Sequence, residues 1–309
     1  MKYFDLHCDT ISQCVEKKRR LAENDLQLDV KRSGFGSPYV QCFAAFIPDE
    51  QRGAAAFACF QKMAEALWTQ AEENGIPVLK HPGDLEALGE ASLGAVLTVE
   101  NGAVLGGQLE RIPRLQAMGV KMLTLTWNGE NEIGRGVLAP GKTGITDFGR
   151  KALPLLEQAG IVVDVSHASP ALFYDVAEIA LKPLVASHSN AQRICKHPRN
   201  LTDRQFRVIR DSGGLVGLNF YKAFLNDRPS RASMEDILRH AEHFLGLGAE
   251  GVLALGSDFD GAQMPEDLPD VSGIPALYEL FLRKNYKESL VEDIFFNNAA
   301  KFFGNNLLL

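Results

Sequence analysis

The 309-residue chain has no Cys-x-x-Cys pair, and its five cysteines, Cys8, Cys14, Cys42, Cys59 and Cys195, are odd in number and scattered. Such usage offers no disulfide framework and suits a reducing compartment. No apolar stretch approaches the roughly 20 residues that cross a bilayer as a helix. The opening "MKYFDLHCDT" enters a structured pattern at once, without the apolar core and small-residue cleavage site of a signal peptide. A cytoplasmic location with no membrane partner is expected. Basic excess is missing too: 32 Lys and Arg stand against 39 Asp and Glu, a formal net charge of -7. Nucleic acid needs clustered Lys and Arg and is therefore not an expected partner. The one basic run, "EKKRR" at Glu16–Arg20, reads as a solvated helix end. There is no Pro/Ser linker, charge block or sequence repeat, so residues 1–309 read as one domain.

What is present is a regular alternation. Short apolar runs rich in β-branched residues occur at Tyr3–His7, Tyr39–Ile47, Gly94–Val99, Val120–Thr126, Ile161–Ser166, Pro183–Ser187, Gly214–Phe220 and Val252–Ser257. Helix-like segments lie between most of them. "GAAAFACFQKMAEALWTQAEENG" has apolar spacing near 3.6 and stops at Gly75, and "TDFGRKALPLLEQAG" opens on capping residues and closes on Gly160. "SPALFYDVAEIA" sets Ser169 at the cap and Pro170 at the first helical position, and "TDRQFRVIRDSGG" and "SMEDILRHAEHFLGLG" repeat the grammar. Strand and helix in alternation imply an α/β fold with a parallel sheet. Eight units point to a closed (β/α)8 TIM barrel. An open doubly wound sheet is the alternative, although no GxGxxG follows the first run.

Polar residues collect at the ends of these runs. His7 and Asp9 leave the first, Glu100 ends "LGAVLTVE", His167 follows "IVVDVS", His188 follows "PLVAS" and Asp258 follows "VLALGS". Barrel active sites are built at the C-terminal ends of the strands. Burying three histidines and three carboxylates together is costly unless something pairs them. A metal centre does so, since imidazole and carboxylate are the usual nitrogen and oxygen ligands of Zn²⁺ and its neighbours. Residues two apart in an extended chain share a face, so His7 and Asp9 can reach one ion while Cys8 turns into the wall. His7, Asp9, Glu100, His167 and His188 make five ligand candidates; one open tetrahedral ion needs three, so five suggest two ions sharing a bridging carboxylate. His240 and His243, three apart on an expected helix, read as a solvated helix face rather than a chelate.

The chain resembles the membrane (renal) dipeptidases and their bacterial relatives, zinc enzymes of the amidohydrolase-type barrels. The matching segments run in order from "DLHCDT" through "LTVENG", "LTLTWNGENEIGRG", "DVSHAS", "VASHSNA", "KHPRNLTD" and "LVGLNFY" to "GSDFDG". The resemblance implies one zinc on His7 and Asp9, a second on His167 and His188, and Glu100 bridging both. It implies Arg199 as the clasp for the substrate carboxylate and Asp258 as the catalytic acid/base, with a metal-bridging hydroxide attacking the peptide bond of a dipeptide. Dipeptides with a D-residue second are included, and a homodimer is implied. Two positions depart from the family pattern. Trp127 stands where relatives carry a substrate-contacting histidine, and Phe224 stands where they carry a tyrosine, with Tyr221 nearby. Asn128, next to Trp127, is expected to point elsewhere. These changes leave the metal ligands intact and bear on specificity. Related amidohydrolase chemistry on N-acyl amino acids or cyclic amides is the rival activity, and a non-catalytic metal-binding barrel the rival class.

Overall fold

The structure is a computed structural model and describes residues 1–88 and 93–306. Eight parallel strands, β1 (Tyr3–Cys8), β2 (Tyr39–Phe46), β3 (Leu93–Glu100), β4 (Met122–Thr124), β5 (Val162–Asp164), β6 (Val185–Ala186), β7 (Leu215–Leu218) and β8 (Leu253–Leu255), close into a barrel in chain order. The open-sheet alternative is thereby removed, because β8 pairs back onto β1 at Asp5 and Leu255. Several strands are shorter than the apolar runs that announce them. In β4 and β6 the ladder takes only part of a run that is buried from Val120 to Thr126 and from Leu184 to Ser187.

The intervening helices form where capping chemistry starts them. Thr146 Oγ1 accepts from Gly149 N ahead of the helix Asp147–Gln158, Ser169 from Leu172 N ahead of Pro170–Ile179, and Thr202 from Gln205 N ahead of Asp203–Asp211. Each side-chain oxygen satisfies an amide that has no partner in the first helical turn. The helix Gly53–Glu73 ends before Gly75, whose φ of 64° is a left-handed conformation that glycine adopts without penalty.

Side-chain alternation divides the apolar residues into two bodies. Phe4, Leu6, Val40, Cys42, Val96, Met122, Val162, Val185, Leu215 and Ala254 fill the barrel interior. Residues of the opposite parity, such as Tyr39, Leu97, Leu123 and Val216, pack outward against helix side chains including Phe60, Phe206 and Phe244. Followed toward the strand exits, the interior parity leads to Thr98 and Glu100, Thr124, Asp164, Ser187, Asn219 and Asp258. Strand β1 departs from this count. Its register against β2 slips by one residue between Asp5 and Cys8, so Cys8 joins the outer wall and His7 takes the next inward place. The Asp5 carboxylate accommodates the irregularity by accepting from His7 N and, across the seam, from Ser257 N.

At the other end of the barrel, the helix Asn298–Asn306 lays Phe303 over Phe4, with ring centroids 5.2 Å apart. This architecture permits function to sit at the strand exits and stability at the strand starts. Phe303→Ala is therefore expected to lower stability by about 3–5 kcal/mol, the range for an emptied phenylalanine site, while leaving metal content per folded molecule unchanged. Urea denaturation with metal analysis checks this; loss of metal without loss of stability would contradict it.

Candidate metal centre

The strand exits bring the expected ligands onto one another. Glu100 sits at the centre: its Oε1 lies 3.0 Å from His167 Nε2 and 3.8 Å from His188 Nε2, and its Oε2 lies 3.7 Å from His7 Nε2. His7 Nε2 is also 3.5 Å from Asp9 Oδ2 and 3.9 Å from Asp258 Oδ1. The Nε2 atoms of His167 and His188 are 2.9 Å apart. Two groups of ligand atoms thus converge, His7–Glu100–His188 and His7–Asp9–Asp258.

Backbone geometry explains how residues from the two ends of the chain meet where the barrel closes. Asp258 N donates to His7 O at 3.1 Å and Asp9 N to Phe259 O at 2.8 Å, which laces the exit of β8 to that of β1. Asp9 lies beyond β1, in the cap position of the helix Thr10–Lys17, so it reaches His7 by a turn rather than by strand alternation. His167 and Asp258 both adopt left-handed backbone, φ 66° and 64°. Such conformations cost a non-glycine residue of order 1–3 kcal/mol and persist where the surroundings enforce them.

The electrostatics call for a cation. Burial alone would depress His7, but the Glu100 and Asp9 charges outweigh it and lift its pKa to about 10. Burial first and the Asp9 charge second push Glu100 well above the usual carboxylate range. Asp258 is raised to about 6 by burial, against the pull of His7. His167 and His188 are driven well below the ordinary imidazole value, mainly by burial and also by Arg199 and His7, which keeps them neutral and fit to act as ligands. Two buried polar atoms, His7 Nε2 and Asp9 Oδ1, have no hydrogen-bond partner. A Cβ built on Gly261 would stand only 2.1 Å from Asp9 Oδ2 and 2.6 Å from Asp258 Oδ1, so glycine is what lets these carboxylates crowd together. Orphaned nitrogen and oxygen donors around clustered carboxylates fit divalent ions of the Zn²⁺ type.

A cleft of 930 Å³ opens over the cluster, lined by Asp9, Glu100, His167 and Asp258 and by Arg199, Trp127, Tyr221 and Phe224. Arg199 is buried, and burial lowers its pKa to about 10 despite the nearby Asp258 and Glu100 carboxylates. Its Nη atoms make only long contacts, 3.5 Å to Ser189 Oγ and 3.3 Å to His188 O, while Nε has no partner. The guanidinium carbon lies 5.3 Å from the centre of the Phe224 ring, which packs edge-on with Tyr221. Trp127 packs against Phe46 at 5.0 Å and comes within 6.4 Å of the His167 ring.

Three assignments need correction or addition. Asn128 does not point elsewhere: its Oδ1 is 3.0 Å from His167 Nδ1, in the cleft. His240 is not on a solvated face. It is fully buried, accepting from Ala191 N through Nδ1 and facing Leu225 O through Nε2, while His243 pairs with Asp203 at 2.8 Å. Asn219 was not singled out by its spacing, yet its Nδ2 donates to Asp258 Oδ2 at 2.9 Å and holds the carboxylate in place. An asparagine at the exit of the glycine-containing run "LVGLNF" was the available signal.

Two solved structures superpose on nearly the whole chain. A metallo peptidase, dipeptidase AC of family M19, superposes with a TM-score of 0.90 at 29% identity, covering 99% of both chains. A metallo peptidase from Rhodobacter sphaeroides, liganded with a phosphinate mimic of the dipeptide L-Ala-D-Ala, superposes with a TM-score of 0.91 at 27% identity, again covering 99% of both. An uncharacterized protein in the pqqA 5' region of Klebsiella pneumoniae is 36% identical over 222 residues, 69% of this chain and 82% of that protein. Among the described residues no helix is long and apolar enough to cross a membrane. With residues 1–306 matching the family described as "Membrane dipeptidase (Peptidase family M19)", the chain belongs to that family of metallo-dipeptidases.

Proposed function

We propose that this protein hydrolyses free dipeptides, including those with a D-residue in second position, at a centre of two divalent ions. The observation that carries the reading is the convergence of His7, Asp9, Glu100, His167 and His188, with Asp258 beside them, beneath a cleft that Arg199 also lines. His7 and Asp9 would hold one ion, His167 and His188 the other, and Glu100 both; Zn²⁺ is the expected metal. Ions so held lower the pKa of bound water toward neutrality and polarise a carbonyl oxygen.

The remaining roles belong to side chains. Asn219 occupies Asp258 Oδ2 and leaves Oδ1 turned toward His7, 3.9 Å away. Asp258 can therefore take a proton from the attacking water and return it to the leaving amine, the exchange expected of a positioned acid/base. Arg199 offers a planar fork suited to a terminal carboxylate, backed by the Phe224 face. Anchoring the carboxylate close to the centre limits the substrate to a short peptide with a free C-terminus. The related metallo peptidase holding an L-Ala-D-Ala mimic supports the inclusion of L-D dipeptides. Trp127, beside His167, fills space in the same cleft, so it bears on which side chains are accepted.

The decisive experiment combines metal counting with turnover of L-L and L-D dipeptides and N-acetylated controls. Near two metals per chain with hydrolysis of free dipeptides is expected. Metal without dipeptide turnover, but with cleavage of the acetylated compounds, would transfer the reading to N-acyl amino acids. Asp258→Asn is expected to retain metal and lose roughly 10²–10⁴-fold in kcat; metal loss instead would make Asp258 a ligand. Arg199→Ala should depress kcat/KM for free dipeptides far more than for their C-terminal amides, and equal losses on the two would remove its anchoring role.

A further inference from the structure

We propose that acceptors placed behind the histidines, Asn128 for His167 and the Ser187–Asp164 pair for His188, fix both imidazoles with hydrogen on Nδ1 and so aim both Nε2 lone pairs at one cation. The inference rests on the metal reading above and assigns positioning residues to it.

The argument is a count of hydrogens. Asp164 in β5 is fully buried and accepts four hydrogen bonds: Thr124 Oγ1 at 2.6 Å, Ser187 Oγ at 2.6 Å, Ser166 N at 2.9 Å and Ser187 N at 3.0 Å. The Ser187 hydroxyl has a single hydrogen, and the carboxylate takes it. Its oxygen is left to accept from His188 Nδ1, 2.8 Å away. Asn128 Oδ1, 3.0 Å from His167 Nδ1, is an amide oxygen and can only accept. Each ring therefore carries its hydrogen on Nδ1, and a neutral imidazole has no second one.

The consequence appears on the opposite edges of the rings. Two bare Nε2 atoms face each other at 2.9 Å, with Glu100 Oε1 3.0 Å from one of them. No tautomer allowed by the acceptors behind the rings puts a ring hydrogen into that gap, so both Nε2 lone pairs stay free to take a cation. Partners of this kind set ring orientation and ligand basicity, and losing one typically costs 10–100-fold in metal affinity. Position 128 thus acquires a task that its neighbour Trp127, which differs from the family pattern, does not disturb.

The test starts from the intact protein loaded with Zn²⁺ as the probe ion and follows zinc loss into excess chelator. Asn128→Leu and Ser187→Ala should each release one of two ions roughly 10–100-fold faster than the parent, whereas Asn128→Asp, which keeps the acceptor, should stay within about threefold. Asn128→Leu releasing at the parental rate, or Asn128→Asp failing as badly as leucine, overturns the inference. Ser187 is buried, so a measurement on the unaltered protein supplements its variant. With ¹⁵N-labelled histidine, slowly exchanging Nδ1–H signals are expected for both His167 and His188, and Asn128→Leu should remove or shift only the first. Hydrogen found on neither Nδ1 also overturns it. A parent protein that binds no zinc fails the metal reading itself, and the inference falls with it, a result distinct from tight binding that the variants do not alter.

Discussion

Everything at the mouth of this barrel follows from the concentration of unlike charge and lone pairs around Glu100. One carboxylate is approached by three imidazoles within 3.8 Å, while Asp9 and Asp258 add two more negative groups on the side of His7. All six side chains are buried, so each group loses hydration that the protein's own hydrogen bonds only partly replace. A cluster of this kind is unstable as an apolar core would be stable: it needs an external positive charge to become favourable. The rest of the fold can be understood as the scaffold that holds these groups close in spite of their repulsion.

Two buried aspartates make the holding possible. Asp5 in β1 accepts from the backbone two residues on, His7 N, and from the neighbouring strand exit, Ser257 N. Asp164 in β5 repeats the device with Ser166 N and Ser187 N. In both places a carboxylate takes amides that the barrel ladder cannot satisfy where strands loosen into loops, and a buried amide must find a partner. Close passage of neighbouring backbones completes the arrangement: a Cβ on Gly217 or Gly256 would meet Ser187 O at 2.0 or 1.8 Å, so only glycine lets β7 and β8 come that near β6.

The barrel was legible because its signals are local. Period-two apolar runs and capping residues each declare an element within a few positions, and eight declared elements leave few ways to close. The five ligand candidates were legible for the same reason, each being the polar residue at which an apolar run ends. What sequence spacing could not convey is the third dimension of support. Asn128 follows Trp127 directly, and alternation turned it away from the cleft, yet the chain has left β4 by then and its side chain swings onto His167. His240 looked amphipathic by spacing, but packing of its helix against the β6 exit loop buried it as a bridge between Ala191 N and Leu225 O. The slip in β1 is likewise invisible in "YFDLHCD", since it depends on the register adopted against β2.

The lacing of Asp258 N to His7 O and of Asp9 N to Phe259 O has a temporal meaning. These contacts join residues some 250 positions apart in the chain, so a ribosome that has released β1 through β7 has not yet supplied the strand that lets His7 and Asp9 face Asp258. A nascent chain can offer isolated histidines to metal but cannot present the assembled pocket until synthesis has passed β8. Barrel closure, which brings the last strand onto the first, is therefore the step that completes this side of the pocket.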